Sequence, residues 1–190
     1  FARDKDGKPI YVPNSMKYSE YYDKYLKDSN NSDIIKNNKS TLTDDERLYV
    51  NKYISSDCYI LNGKLRNNSE LDKYDKEFIK NLDSALSKLS NYEGTVYRTA
   101  DFSDRHLKRF ISQHTVGAKI TYPAYTSSST EKDYNDLANV FITIKNSTKG
   151  KDMREYNKPE SEVLFERNSQ FEVVDVKEEN GKYKIELREI

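Results

Sequence analysis

Hydrophobic positions recur at helical spacing through the first half of the chain and alternate over short runs in the second. Tyr18, Tyr21, Tyr22, Tyr25 and Leu26 predict a helix, and the polar Ser29-Asn30-Asn31-Ser32 after them predicts a loop. Thr43-Asp44-Asp45-Glu46 has the N-cap hydroxyl and following glutamate of a capping box, and Leu48, Tyr49 and Tyr53 carry that helix to about Ile54. Asn62-Gly63 is expected to end or interrupt the next short segment. From Leu71 to Leu89, Phe78, Ile79, Leu82, Leu86 and Leu89 mark one buried helical face.

After Gly94 the period shortens. Thr95-Val96-Tyr97-Arg98 predicts a strand, about Ser103 to His114 a helix, and Lys119 to Tyr125 another strand, with Tyr125-Thr126-Ser127-Ser128-Ser129 at a strand end. Val140 to Ile144, Val163 to Phe165, Phe171 to Val176 and Tyr183 to Leu187 are further β-rich runs, the last two joined by the turn signal Glu179-Asn180-Gly181. Helices first and strands second predict an α+β domain, residues 1–190, with a mainly helical part at 1–90 and a β-rich part at 91–190. There is no internal repeat.

Composition changes this picture little. Hydrophobic residues are 35% of the chain and charged residues 34%, yet 16 tyrosines and 7 phenylalanines supply enough amphipathic surface for a core. Basic and acidic residues number 32 each, which removes the global positive field that drives binding to nucleic acid or anionic membranes. Cys58 is the single cysteine, so an intrachain disulfide and a multi-cysteine metal site are excluded, and a small packing role is its simplest reading. His106 and His114 are eight residues apart on one predicted helix, too far for an adjacent-turn metal pair, and no metal is expected. No apolar run is long enough to span a bilayer. The start Phe1-Ala2-Arg3-Asp4 reads as that of a mature or excised fragment.

Three segments carry candidate chemistry: Tyr97-Arg98 at the end of a strand, the serine run Ser127-Ser128-Ser129, and Glu160-Ser161-Glu162 before a β-rich run. If the last segment is extended, alternation places both carboxylates on one side. Like charges held together suit a cationic ligand or transition state. Each segment alone has a plainer reading, as a strand beside a surface charge, a turn or cap, and a solvated edge. Their order together resembles the R-S-E class of bacterial mono-ADP-ribosyltransferase toxins, similar to the C3-type exoenzymes and the enzymatic components of actin-modifying binary toxins. The likeness extends over Leu42 to Arg66 and over Glu162 to Val173, and covers roughly residues 40 to 190.

The resemblance implies an ADP-ribosyltransferase-like fold, amino-terminal helices packed on a mainly antiparallel mixed β-sandwich core, with NAD as substrate. Arg98 matches the arginine that contacts the NAD phosphates. Ser127 matches the hydroxyl that positions the catalytic glutamate, and Glu162 matches that glutamate. Glu160 matches the residue that distinguishes acceptors, glutamate there accompanying arginine modification. Lys149 to Pro159 would be the acceptor loop, with Tyr156 an acceptor-binding aromatic. Tyr53, Asn62 and Tyr134 match positions near the cofactor, although each also suits plain packing. Cys58 stands where relatives often have tyrosine and Thr99 where some have a second arginine. The 130–139 loop lacks an arginine, with Lys132 a substitute phosphate contact.

The expected activity is therefore transfer of ADP-ribose from NAD to an arginine of a host protein, actin first among candidates, with NAD glycohydrolysis at the side. Two alternatives stay open at this point: a glycohydrolase without a specific acceptor, and a noncatalytic toxin docking module on the same scaffold. The resemblance further implies a secreted virulence protein that acts in the host-cell cytoplasm, with a separate translocation component as one route of entry.

Overall fold

The computed structural model describes residues 2–27, 41–132 and 135–190. Two compact units emerge, one of Phe1–Leu89 with Glu155–Asn157, the other of Ser90–Arg154 with Lys158–Ile190. The predicted loop at Ser29 to Ser32 lies outside the described residues.

In the first unit, helix α1 (Tyr18–Tyr21) continues into a π turn at Tyr22–Leu26. Tyr21 is buried with Ile10, Val12 and Leu48, and its hydroxyl meets Asn51 Oδ1 at 3.2 Å. Helix α2 (Asp44–Ile54) begins with the predicted capping box: Glu46 N–H donates to Thr43 Oγ1 at 3.2 Å, and Thr43 N–H to Glu46 Oε1 at 3.3 Å. Helix α3 (Cys58–Arg66) runs straight through Asn62-Gly63, contrary to the expected break. A mid-helix glycine costs only about 1 kcal/mol. The chain leaves the helix at Asn67 and Asn68 instead, the latter at φ 51°. Helix α4 (Lys73–Lys88) starts on a capping box of Asp72 and Asp75 and buries Phe78, Leu82, Ala85 and Leu86, while Ile79 and Leu89 are half-buried. Phe78 packs on Tyr49 of α2 with ring centroids 5.4 Å apart.

The second unit is a mixed, mainly antiparallel sheet with helix α5 (Asp104–Gln113) against it. Its strands are β1 (Gly94–Ala100), β2 (Lys119–Tyr122), β3 (Thr126–Ser129), β4 (Val140–Ser147), β5 (Lys151–Asp152), β6 (Glu162–Phe165), β7 (Ser169–Glu179) and β8 (Lys182–Glu189), ordered β2-β7-β8-β4-β1-β3-β6-β5. Only β4 and β8 pair in parallel among these neighbours. The ladder narrows between β1 and β3 to the single pair Tyr97↔Ser129. Val96, Ile142, Phe165, Phe171 and Leu187 are buried in the core, covered by Leu107, Phe110 and Ile111 of α5. The β7–β8 hairpin turns at Asn180-Gly181, with φ 53° and 77°, the conformation this dipeptide favours.

The run expected as one strand from Lys119 to Tyr125 is divided. Proline at 123 has no N–H for a ladder, so β2 stops at Tyr122, and β3 begins afresh at Thr126 in another part of the sheet. His114, just after α5, is buried and stacks on Phe110 at 3.7 Å. The Phe110 carbonyl can only accept, so the His114 Nδ1–H donates to it at 2.7 Å and Nε2 accepts from the Tyr122 hydroxyl at 2.7 Å. Burial lowers the His114 pKa from its usual 6.5, opposed by the Phe110 bond.

Candidate active site

The sheet order places β1, β3 and β6 side by side, so Arg98, Ser127 and Glu162 come from three neighbouring strands. Ser129 opposes Glu162 in the β3–β6 register, and Ser127, two residues back, shares its face. The diagonal distance suits a short side chain meeting a long one. Ser127 Oγ donates to Glu162 Oε1 at 2.8 Å, and Glu162 is only 3% exposed. A buried carboxylate is costly without donors, and this hydroxyl fixes one of its oxygens. The β6 backbone is equally constrained, because Ser128 Oγ donates to the Val163 carbonyl at 2.7 Å and Met153 N–H to the Glu162 carbonyl at 3.0 Å.

Arg98 alternates with Tyr97 and leaves β1 on the Val96 side. Where the β1–β3 ladder has shrunk to one pair, its Nη1 donates to the Ser127 carbonyl at 2.8 Å. One of five guanidinium N–H groups is thus committed to positioning, and the side chain stays half-buried rather than covered.

Glu160 is placed differently from the expectation. Alternation along an extended strand does not relate it to Glu162: it ends a 3-10 turn, Lys158–Glu160, and Ser161 follows at φ 44°. Glu160 is exposed where Glu162 is buried, giving two carboxylates in different environments. The turn is tied to the end of β3, Ser129 Oγ donating to the Glu160 carbonyl at 2.8 Å and Thr130 N–H to the Ser161 carbonyl at 3.1 Å. Sequence reasoning missed Ser129 and Thr130. The period-2 spacing of Ser127 and Ser129 was the available signal.

The remaining candidates lie elsewhere in the chain. Tyr53 and Asn62 are buried in the first unit, where Asn62 Nδ2 donates to the Tyr53 hydroxyl at 3.0 Å. Tyr156 is half-buried in the Glu155–Asn157 segment of that unit. Lys132 is exposed on a turn, and Tyr134 lies outside the described residues. Among the described residues no group of three or more His, Cys, Asp or Glu side chains is arranged to hold a metal ion. No helix among them is long and apolar enough to cross a membrane.

The ADP-ribosyltransferase exoenzyme family matches residues 27–190. The chain belongs to this family. An ADP-ribosyltransferase exoenzyme of this kind also has a named relative in the NAD(+)--protein-arginine ADP-ribosyltransferase Tre1 of Serratia proteamaculans, 29% identical over 151 residues, or 78% of this chain. The chain spans 33% of that protein's length. Its fold is shared with solved structures. ADP-ribosyltransferase HopU1 of Pseudomonas syringae pv. Tomato superposes with a TM-score of 0.72 at 19% identity, over 93% of this chain and 89% of that one. The Vis toxin of Vibrio splendidus gives 0.66 at 20% identity, over 84% and 82%. The Clostridium limosum C3 exoenzyme gives 0.66 at 16% identity, over 85% and 95%.

Proposed function

We propose that residues 1–190 act as one catalytic domain that transfers ADP-ribose from NAD to an arginine side chain of a host protein. The observation that carries this is the buried Glu162 carboxylate held by Ser127 at 2.8 Å, two positions after an exposed carboxylate, Glu160. Arg98 binds the NAD phosphates with the guanidinium donors that Ser127 does not use. Glu162 accepts from a hydroxyl of the nicotinamide ribose. As the bond from the ribose C1′ to the nicotinamide nitrogen breaks, its electron pair leaves with neutral nicotinamide, and the fixed negative charge of Glu162 stabilises the oxocarbenium ion left behind.

Glu160 serves the second half of the reaction. Its exposed carboxylate orients the incoming guanidinium by charge-assisted hydrogen bonds and takes the proton released when a guanidinium nitrogen bonds to C1′. When no acceptor is bound, water takes that place and the product is free ADP-ribose. Arginine as acceptor is supported by the Glu-x-Glu spacing, by the name of the Serratia relative, and by the solution of Vis in complex with agmatine, a guanidinium compound. Actin is the first protein acceptor to test. The protein is secreted and works in the host-cell cytoplasm, reached through a separate translocation component.

Incubation with adenylate-labelled NAD and agmatine tests this reading. Labelled ADP-ribosyl-agmatine is the expected product. Free ADP-ribose alone would replace transfer with glycohydrolysis, and a folded protein that leaves NAD intact would refute the enzyme reading.

A further inference from the structure

Two serines on one face of β3 hold the two carboxylate residues through different atoms. Ser127 binds the side chain of Glu162; Ser129, the next residue on that face, binds the backbone of Glu160. The difference matters because Glu160 is exposed, so burial does nothing to aim its side chain. The backbone beneath it fixes the point from which that side chain starts. That backbone is unusual: the 3-10 turn Lys158–Glu160 runs into Ser161 at φ 44°, a left-handed conformation that an L residue keeps only when its surroundings hold it.

The surroundings are the end of β3. Ser129 is 4% exposed, and its hydroxyl is used in both directions, donating to the Glu160 carbonyl at 2.8 Å and accepting from Glu131 N–H at 3.0 Å. The neighbouring Thr130 N–H donates to the Ser161 carbonyl at 3.1 Å. Consecutive carbonyls of the Glu160–Ser161 turn are therefore pinned by Ser129, the last residue of β3, and by Thr130 just after it. Glu162 is held by other groups, among them the Ser127 hydroxyl at its side chain, the β3 pairing and the Met153 N–H at its backbone.

We propose that Ser129, together with the Thr130 N–H, is a positioning residue that aims Glu160 at the acceptor and so sets how the activated ribose is divided between a guanidinium and water. The inference rests on the arginine-transfer reading above. Ser129 touches neither NAD nor acceptor in it and acts through the Glu160 backbone alone.

The test measures ADP-ribosyl-agmatine and free ADP-ribose together, across a range of agmatine concentrations, for the parent, Ser129→Ala, Ser129→Thr and Ser127→Ala. In Ser129→Ala the ratio of transfer to hydrolysis falls about tenfold or more and the KM for agmatine rises, the scale expected when a reacting group is misplaced by a fraction of an ångström. Ser129→Thr keeps the hydroxyl and recovers the ratio. Ser127→Ala lowers both products in parallel. An unchanged ratio in Ser129→Ala, or a parallel fall of both products, overturns the inference. If Ser129→Ala does not fold, Thr130→Pro removes the second bond with the hydroxyl intact; the same fall in ratio is expected and an unchanged ratio overturns it. A parent that hydrolyses NAD but makes no ADP-ribosyl-agmatine overturns the arginine reading and the inference with it, an outcome distinct from a transferring parent whose ratio Ser129→Ala leaves alone.

Discussion

Ser127 Oγ donates to Glu162 Oε1 at 2.8 Å although the strand register pairs Glu162 with Ser129. The contact is a diagonal one across β3 and β6, made by residues 35 positions apart. A hydrogen bond to a charged group contributes about 1.5–3 kcal/mol. Removing this donor in Ser127→Ala is therefore expected to lower kcat for NAD hydrolysis roughly 10- to 100-fold. A kcat within twofold of the parent would show that Glu162 is held by something else.

Arg98 donates one bond to the Ser127 carbonyl, and on the proposed function the rest of its planar fork serves the NAD phosphates. Lysine carries the same charge without the fork. Arg98→Lys is expected to raise the KM for NAD about tenfold or more, with a smaller loss in kcat, because a lost pyrophosphate contact weakens ground and transition states alike. Initial rates over a range of NAD concentrations separate the two parameters. A fall in kcat at constant KM would place Arg98 away from the phosphates.

Gly150 lies against the strand that begins with Glu162. A Cβ at that position would stand 2.5 Å from Val163 Cγ1 and 3.3 Å from Phe165 Cζ, and Val163 is fully buried and has nowhere to move. Gly150→Ala should destabilise the protein by about 1–3 kcal/mol, the usual range for overpacking. A urea titration reads this as a lower midpoint at unchanged slope. An unshifted midpoint would mean that β6 yields more easily than its packing suggests.

His114 predicts a stability change near neutral pH. Burial lowers its folded pKa below 6.5, whereas in the unfolded chain the imidazole titrates near that value. Above pH 6.5 both states hold it neutral and it adds no pH dependence. Below pH 6.5 the unfolded chain takes up the proton first, so stability falls with pH, by at most about 1.4 kcal/mol per pH unit for one group. The parent Tm should therefore drop between pH 7.5 and 5.5, before most carboxylates titrate. His114→Gln should be less stable throughout but with a flatter profile. Parallel profiles would remove His114 from the account.

Features set by adjacent residues were legible in the sequence. The Thr43 and Glu46 capping box and the Asn180-Gly181 hairpin form where the residues called for them, because a cap or tight turn is decided within four positions. Gly63 misled in the other direction, since buried Leu61 and Asn62 keep α3 going through a weak helix former. The division at Pro123 was written in the sequence but outweighed by the apolar pattern around it. At the site, the order of Arg98, Ser127 and Glu162 was visible and the resemblance implied that Ser127 holds Glu162, as it does, but the register that makes the contact diagonal is encoded by no local pattern. Alternation failed for Glu160 because Ser161 is left-handed, and what holds it there is the distant end of β3.

Product analysis with adenylate-labelled NAD, comparing the parent with Glu160→Gln and Glu162→Ala, tests the division of labour between the two carboxylates most directly. Two outcomes together would confirm it: Glu160→Gln loses ADP-ribosyl-agmatine while still releasing free ADP-ribose, and Glu162→Ala loses both by about 100-fold or more, as removal of a main electrostatic group should. Transfer that survives in Glu160→Gln, or NAD turnover that survives in Glu162→Ala, would contradict it.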